Sequence, residues 1–507
     1  MSHFTWIDYL FFGGYLVASV LVGLLFVKEQ RTMKDFFLAG RSMGSVVVAI
    51  SVMAAMFSGI SYLGGPAEVY QNGLAFGWVL FSFFIATPVT TIFILPFFYR
   101  ARFITAYQYL EERFSLPARL LASGLFILRV LLWLGAATYA PALALQQATG
   151  LSLEFSILAT GILTTLYTMM GGMKAVIWTD VMQFGVLFGG QIVILLVAVG
   201  KIPGGFGEVI HVAQTHGQPM PVASWDPTVR LTWASVILGG AVLNLVQMAT
   251  DQVAVQRYMT AKDVKTAQRG LWYKLIVTVP VLGLFYGTGS VLRAFYNHHP
   301  DPLATNAIEK ADQILPWFVV HELPTGMAGV LVAAIFAASM STISAGLNSL
   351  ASATMVDFQQ RLTDKPLPTD ERQIWQARMW TLFYGVLVIG LAFIVSNLGD
   401  NLVQTTNTVI GLVGGPILGM FLCGIFMRRV SAKGVLIGTI IGFTVSLLTA
   451  LWKGQEAGLE IKVSFIWYTS IGCVVTVVVS WILSFMLPGK PAAELEGLTW
   501  QQRNDDA

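Results

Sequence analysis

The sequence has 507 residues, of which 55% are apolar and only 11% are charged. Soluble domains carry about 25% charged residues, so this composition excludes an ordinary soluble protein and indicates an integral membrane protein. The net charge of +3 is too small to indicate a nucleic-acid partner. The two cysteines, Cys423 and Cys473, lie in apolar runs, which argues against a disulfide framework or a zinc site.

Thirteen apolar stretches are candidates to cross a bilayer, since a helical span needs about 20 residues. In chain order they lie near 5–27, 44–70, 74–99, 118–149, 153–170, 176–200, 231–256, 271–297, 325–356, 377–397, 401–427, 434–452 and 463–487. The chain is therefore predicted to be an all-α integral membrane protein with about 13 transmembrane helices.

Lysine and arginine are concentrated in alternate loops. The segments 28–43, 100–117, 257–270 and 428–433 each carry at least three of them, whereas the loops between carry few. Basic loops stay on the cytoplasmic side of a membrane. We therefore expect a multi-pass protein of the plasma (inner) membrane with its N-terminus outside and its C-terminus in the cytoplasm.

Only a few ionisable residues lie inside apolar stretches, and three of them stand out: Arg129, Asp180 and Asp251. Charged groups are costly in lipid, so each of them is a functional hypothesis. The alternative is structural. In that interpretation the two aspartates lie at the inner interface, where they cap helices or pair with Lys174 and Arg257.

The second stretch contains "FSGISYLGGPAEVYQNG", with Gly59, Gly64, Gly65 and Pro66 within eight residues. Glycine costs roughly 1 kcal/mol and proline roughly 3 kcal/mol inside a helix. Opened backbone within a membrane persists only where protein or a water-filled cavity satisfies it. The pattern therefore predicts a broken helix.

The seventh stretch has a related weak place, "LGGAVLNLVQMATDQ", five spans further along the chain. This spacing predicts two inverted five-helix repeats, 44–200 and 231–427, with substrate and ions near the midplane where the first helix of each is broken. Close packing through small residues is the alternative. The remaining predicted segments are an extra N-terminal helix with the first inner loop (1–43), an outer loop (201–230), two extra helices (428–487) and a cytoplasmic tail (488–507).

The ninth stretch contains "FAASMSTISAGLNS", which is dense in short hydroxyl side chains. On a helix, Ala338, Ser341 and Thr342 share one face. Hydroxyls and freed carbonyls are the oxygen ligands that a small hard cation prefers, so the segment predicts a Na⁺ site beside the broken helix. Alternatively, these hydroxyls bond back to the preceding turn or link helices.

Five segments together resemble the sodium/solute symporter family. They are "SGISYLGGPAEVY", "YAPALAL", "YTMMGGMKAVIWTDVMQ", "TDQVAVQRY" and "AASMSTISAGLNS". This family includes sodium/glucose, iodide, monocarboxylate, multivitamin and bacterial sialic acid symporters. The resemblance implies a leucine-transporter-type 5+5 inverted repeat. It also implies Na⁺-coupled import of a small organic solute by alternating access, with Na⁺ as coupling ion and no organic cofactor.

The resemblance also implies two cation sites. The main sodium ligands would be three carbonyls and two hydroxyls, those of Ala54, Phe57, Ala338, Ser341 and Thr342. A second cation site would use Asp180, Ser341 and Ser344. The last serine of that second set is Ala345 here, which departs from the family pattern.

The solute site implied by the resemblance lies between the two broken helices and their neighbours. Its expected residues are Ser58, Ser61, Phe76, Trp133, Gln247 and Asn407. In sialic acid transporters an arginine that pairs with the carboxylate matches Trp133, and a glutamine contact matches Leu80. Because both are absent, we expect weak or no sialic acid transport and leave the solute open among sugars, monocarboxylates, vitamins and others.

Other classes of function stay open at this stage. A membrane sensor or receptor of transporter-like fold and a solute-gated ion pathway are the alternatives. An enzyme is not expected, because no metal-ligand cluster, nucleophile elbow or phosphate loop stands out. The expected partners are the solute, Na⁺ as the only metal, and the lipid bilayer. The sequence does not set an oligomeric state and is compatible with a monomer.

Overall fold

The computed structural model describes residues 4–26, 29–100, 103–324, 326–363, 369–395, 402–451 and 463–500, and within these ranges the chain forms helices and loops without a β-strand. The last two residues of the predicted span 377–397 and the end of the predicted tail, 501–507, lie outside them.

The helices of the bundle follow the predicted order. They are α1 (Trp6–Leu25), α2 (Ser45–Met56), α3 (Gly59–Asn72), α4 (Leu74–Tyr99), α5 (Leu116–Thr149), α6 (Leu153–Gly200), α7 (Ser235–Thr250), α8 (Gln252–Tyr258), α9 (Val264–Tyr296), α10 (Met327–Leu362), α11 (Asp370–Val395), α12 (Leu402–Phe426), α13 (Ala432–Leu451) and α14 (Trp467–Leu483). Two pairs, α2 with α3 and α7 with α8, each cross as one bent span, and α6 crosses twice. In the described part of the chain this makes thirteen crossings, as predicted.

The long helix α6 is interrupted at Gly172. Its 48 residues would extend roughly 70 Å as one straight helix, more than twice the thickness of a bilayer core. Gly172 has a φ of +58°, where residues other than glycine are rarely found. An added Cβ there would also lie 2.7 Å from Oε1 of Gln30. The glycine therefore divides α6 into two spans.

The first bent span breaks just before its glycines. Helix α2 ends at Met56, α3 begins at Gly59, and their axes differ by 62°. Gly64, Gly65 and Pro66 lie inside α3. A Cβ added at Gly59 would lie 1.9 Å from Oγ of Ser339, so this glycine permits close packing of α3 against α10. The glycine cluster thus lies in a span that is broken, as predicted. The glycine at position 59 itself is explained by the alternative, close packing of helices.

The second bent span breaks at an acidic residue. Asp251 has extended backbone angles between α7 and α8, whose axes differ by 56°. Its side chain accepts a hydrogen bond of 2.9 Å from the backbone N–H of Val253 and so caps α8. Gly239 and Gly240 lie inside the helical backbone of α7, several residues before the break. The break therefore lies inside the predicted weak stretch, 238–252, but near its end at Asp251 and not at its glycines.

Helix α10 occupies the centre of the bundle. Every residue from 331 to 357 is buried, so this part of the helix has no lipid-facing side. Its serines, threonines and asparagine therefore contact other helices rather than lipid. Helices α2 to α6 form one group of five crossings, and helices α7 to α12, which include α10, form another. The first crossing of each group is a bent span.

Candidate sodium and solute sites

The carboxyl end of α2 is joined to α10 by two hydroxyl groups. The hydroxyl of Ser341 lies 2.9 Å from the carbonyl oxygen of Ala54 and 3.0 Å from that of Ala338. The hydroxyl of Thr342 lies 3.1 Å from the carbonyl oxygen of Ala55 and 3.2 Å from that of Ala338. All five residues are buried.

These carbonyls are available because α2 ends there. The last four carbonyls of a helix have no N–H partner within it, and Ala54 and Ala55 lie in the last turn of α2. The cluster therefore gathers neutral, hard oxygen atoms in a space closed to water. That ligand set suits a monovalent cation of small radius better than a divalent ion.

Four of the five predicted sodium residues meet in this cluster: Ala54, Ala338, Ser341 and Thr342. Phe57 follows in the two-residue link between α2 and α3, with a non-helical ψ of 85°. Ala55 also takes part, which the sequence analysis missed. Ala55 could have been predicted from its position next to Ala54, because every carbonyl in the last turn of a helix lacks an N–H partner within that helix.

The predicted second cation set is not brought together in the same way. Oδ2 of Asp180 accepts hydrogen bonds from the hydroxyl of Ser51 at 2.6 Å and from Arg257 at 3.0 Å. Asp180 and Arg257 are both fully buried. The hydroxyl of Ser344 instead donates to the backbone carbonyl of Ser341 at 3.1 Å. Asp180 thus holds α6 to α2 and α8, and its pairing with Arg257 is the structural alternative foreseen from the sequence.

A second buried ion pair joins Arg129 and Asp251, the two other ionisable residues singled out from the sequence. Arg129 on α5 lies 2.5 Å from Asp251 at the α7–α8 break. Lys174, foreseen as a partner for these aspartates, pairs with Glu29 instead. A buried charge that loses its partner strongly destabilises a protein. Arg129 therefore stays paired with Asp251 and does not bind an anionic solute.

A cavity of about 120 Å³ lies between the two bent spans. Of the predicted solute residues, four line it, namely Ser61, Phe76, Gln247 and Asn407. Ser58 is buried at the start of α3, and Trp133 is buried in α5, and neither is part of the cavity wall.

The cavity is lined mostly by apolar side chains, five of them aromatic, with a few polar groups. Phe76 and Tyr286 meet edge to face at 5.9 Å between ring centroids, and Phe57 stacks on Phe285 at 5.8 Å. The contribution of α9 through Phe285 and Tyr286 was not found from the sequence, because an aromatic within an apolar span carries no signal of its direction.

The polar side chains of the wall differ in what they already bind. The amide of Asn244 donates to the hydroxyl of Ser82 at 2.7 Å. Ser61, Gln247 and Asn407 make no side-chain hydrogen bond within the described residues, so their groups are free to bind a solute.

A lysine missed by the sequence analysis lies behind this wall. Lys274 on α9 is fully buried, and its ammonium lies 4.6 Å from the ring centroid of Phe83 and 3.5 Å from the sulfur of Met248. Phe83 lines the cavity. Among the described residues no carboxylate pairs with Lys274, so its amine is a buried basic group without a counter-ion next to the cavity wall.

Within the described residues, thirteen crossings, two bent spans and an oxygen cluster next to a cavity define a secondary transporter of the inverted-repeat class. Residues 36–442 match the model of the sodium:solute symporter family, and the chain belongs to that family.

Named relatives cover most of the chain. A sodium-dependent multivitamin transporter of Oryctolagus cuniculus is 35% identical, over 89% of this chain and 71% of its own length. Sodium-coupled monocarboxylate transporter 1 of Homo sapiens is 34% identical, over 89% and 73%. The sodium/sialic acid symporter SiaT of Proteus mirabilis is 32% identical, over 94% and 95%.

Solved structures agree with this assignment. A Na⁺-coupled sialic acid symporter in a substrate-bound, outward-open state has a TM-score of 0.85 at 31% identity, over 96% of this chain and 99% of that one. Mhp1, a nucleobase-cation-symport-1 family transporter, has a TM-score of 0.58 at 15% identity over 91% and 97%, which shows a shared fold alone.

The chain is therefore a Na⁺-coupled solute symporter and a multi-pass membrane protein. Its relatives are named transporters and not enzymes. The predicted family, fold class and general function are confirmed, and the sensor and ion-pathway alternatives are not favoured.

Proposed function

We propose that Na⁺ binds at the end of α2, held by the carbonyls of Ala54, Phe57 and Ala338 and the hydroxyls of Ser341 and Thr342. The solute binds in the neighbouring cavity. Phe57 carries this proposal, because it belongs to the link beside the oxygen cluster and also lines the cavity. Na⁺ would order that link and thereby complete the cavity wall.

The cavity favours a small solute with an apolar body and one negative charge, such as a short monocarboxylate. Its volume of about 120 Å³ is below the roughly 300–1,000 Å³ of pockets for drug-sized ligands. Ser61, Gln247 and Asn407 offer neutral donors, and the amine of Lys274, whose protonated form an anionic solute would favour, lies behind Phe83. No arginine lines the cavity to form a bidentate bond with a sugar acid, which supports the expectation of weak sialic acid transport.

We further propose a single Na⁺ per cycle. The second cation set lacks a serine at Ala345, and the charge of Asp180 is already balanced by Arg257. One Na⁺ with one monoanion moves no net charge. The basic inner loops support an orientation in the plasma membrane with the N-terminus outside and the C-terminus in the cytoplasm.

Uptake into liposomes tests these statements. Purified protein is reconstituted with an inward Na⁺ gradient, and labelled short monocarboxylates, sugars, vitamins and sialic acid are offered in turn. We expect Na⁺-dependent uptake of a monocarboxylate with a Hill coefficient for Na⁺ near 1 and no dependence on an imposed membrane potential. Strong Na⁺-driven sialic acid uptake, or a monocarboxylate current of several charges per solute, would contradict the proposal.

A further inference from the structure

A second pocket lies far from the cavity, where the ends of α12 and α14 meet the chain after α14. It is lined by Arg428, Arg429, Ser484, Pro488, Gly489, Lys490 and Leu495. Three of these seven residues are cationic and none is acidic. Within the described residues, neither arginine forms an ion pair with a carboxylate.

The walls of this pocket are held in place. Gly489 packs so closely on the backbone of Arg429 that an added Cβ would lie 2.7 Å from its carbonyl oxygen. The ammonium of Lys490 donates to the carbonyl of Glu112 at 2.8 Å, and the hydroxyl of Tyr109 donates to the carbonyl of Leu498 at 2.9 Å. The segment after α14 is therefore fixed against the bundle, and the pocket is a built concavity.

Exposed apolar side chains flank the pocket. Trp481, Phe485 and Met486 at the end of α14 are 51%, 62% and 77% exposed. In a membrane-spanning bundle such apolar side chains contact acyl chains and the region of the headgroups. The cations therefore lie next to the depth at which phospholipid phosphates are found.

Basic residues near the ends of spans are common, and cations also complement the negative ends of helix dipoles. Those two effects account for the charge but not for three cations around one concave space without an acidic residue. Arginine binds phosphate oxygens in pairs of parallel hydrogen bonds, and basic pockets between spans recognise anionic headgroups.

We propose that this pocket binds a phosphate group, and that its source is the headgroup of an anionic phospholipid. Arg428 and Arg429 would contact the phosphate oxygens, and Lys490 would add charge from the opposite wall. The acyl chains would lie along the exposed side of α14. This site is independent of the sodium and solute sites.

Binding is tested on the full chain in a neutral detergent. The protein is titrated with short-chain phosphatidylglycerol, with phosphatidylcholine of the same chain length, and with inorganic phosphate. We expect saturable binding of phosphatidylglycerol, at least tenfold tighter than that of the other two. R428Q/R429Q should weaken it at least tenfold. K262Q/K265Q, which removes two exposed cations elsewhere on the basic loops, should change it less than twofold.

The outcomes separate the sources of the phosphate. Inorganic phosphate that binds as tightly as the lipid, and is lost in R428Q/R429Q, would keep a phosphate site and overturn the lipid assignment. Equal weakening in both double variants, or no saturable binding, would overturn the site. If R428Q/R429Q does not fold, R429Q alone serves, because Arg429 is exposed and makes no side-chain hydrogen bond within the described residues; we expect a loss of at least threefold.

Discussion

Glu68 and Arg230 form a doubly bonded ion pair between α3 and the loop before α7, with nitrogen–oxygen distances of 2.7 and 2.8 Å. Glu68 lies on α3 and is 1% exposed, and Arg230 lies in the loop before α7. The guanidinium of Arg230 also lies 5.8 Å from the ring centroid of Phe465, which in turn lies 6.4 Å from the ring of Phe76 in the cavity wall. The pair thus ties half of a bent span to the cover of the cavity.

We predict that the cavity opens to water at this end, called the mouth below, and that this opening separates Glu68 from Arg230. Hydrogen bonds to charged groups contribute about 1.5–3 kcal/mol each, and Arg230 is partly exposed, so we expect R230A to shift the equilibrium about tenfold towards the open state. The measurement is the labelling rate of S61C by an impermeant thiol reagent applied to the side of Arg230. Background labelling should be low, because Cys423 and Cys473 are both buried.

The matched control for this opening is R293A. Arg293 pairs with Asp301 at 3.2 Å and meets α3 at the ring of Tyr70, 5.6 Å from its guanidinium, so its loss removes the same charge and leaves the Glu68–Arg230 pair in place. We expect S61C labelling within twofold of the parent. Equal acceleration by R230A and R293A would mean that the Glu68–Arg230 pair does not hold the mouth closed.

The sodium site is tested by S341A/T342A. The change removes two oxygen ligands, so we expect the half-saturating Na⁺ concentration to rise at least tenfold. Each lost hydrogen bond costs only about 0.5–1.5 kcal/mol of stability, so folding should be largely kept. The measurement is Na⁺ activation of uptake together with thermal unfolding.

The control for the sodium site is S352A, on the same buried helix. The hydroxyl of Ser352 donates to the backbone carbonyl of Ser349 at 2.9 Å and lies outside the oxygen cluster. Its removal should leave Na⁺ activation unchanged. A folded S341A/T342A protein with parental Na⁺ activation would refute the assignment of these hydroxyls.

Asp180 is tested by comparing D180N with D180N/R257Q. The single change leaves Arg257 buried without its partner, which should lower the free energy of unfolding by about 3–5 kcal/mol. The double change removes both charges and should recover part of that loss. Thermal unfolding and Na⁺ activation are measured for both. If D180N folds as stably as the parent but loses Na⁺ activation, Asp180 is a cation ligand and the single-Na⁺ proposal fails.

The solute cavity is tested by Q247A, K274M and W133F. Loss of the free amide of Gln247 should raise the KM at least fivefold and leave Na⁺ affinity without solute unchanged, since a solute bond is worth about 1–3 kcal/mol. K274M should raise the KM for an anionic solute more than for a neutral analogue.

W133F should change the KM less than twofold, because Trp133 is not part of the cavity wall. If W133F raised the KM strongly and Q247A left it unchanged, the solute would instead lie against α5.

The number of spans and the family could be read from the sequence, because hydropathy and loop charge depend on residues close together in the chain. The position of the first break could not. Glycine marks both a break and a close contact, and Gly59 meets Ser339 across 280 residues of sequence.

The partners of most buried charges could not be predicted from the sequence either. Asp180 could be foreseen beside Arg257, but Arg129 and Asp251 are 122 residues apart and meet only through packing of α5 on the second break. The hydroxyls of the oxygen cluster could be predicted because Ser341 and Thr342 share a helical face with Ala338. The cavity wall from α9 could not, since its aromatic residues follow no polar period.

In the proposed mechanism, the link at Phe57 makes the binding of Na⁺ and the binding of solute thermodynamically dependent on each other. If Na⁺ raises the affinity for solute by some factor by ordering this link, solute must raise the affinity for Na⁺ by the same factor. That reciprocity gives a way to sort ligands. A blocker that fills the cavity and contacts Phe57 will bind more tightly in Na⁺ than in K⁺, whereas one that stops short of Phe57 will bind equally in both salts.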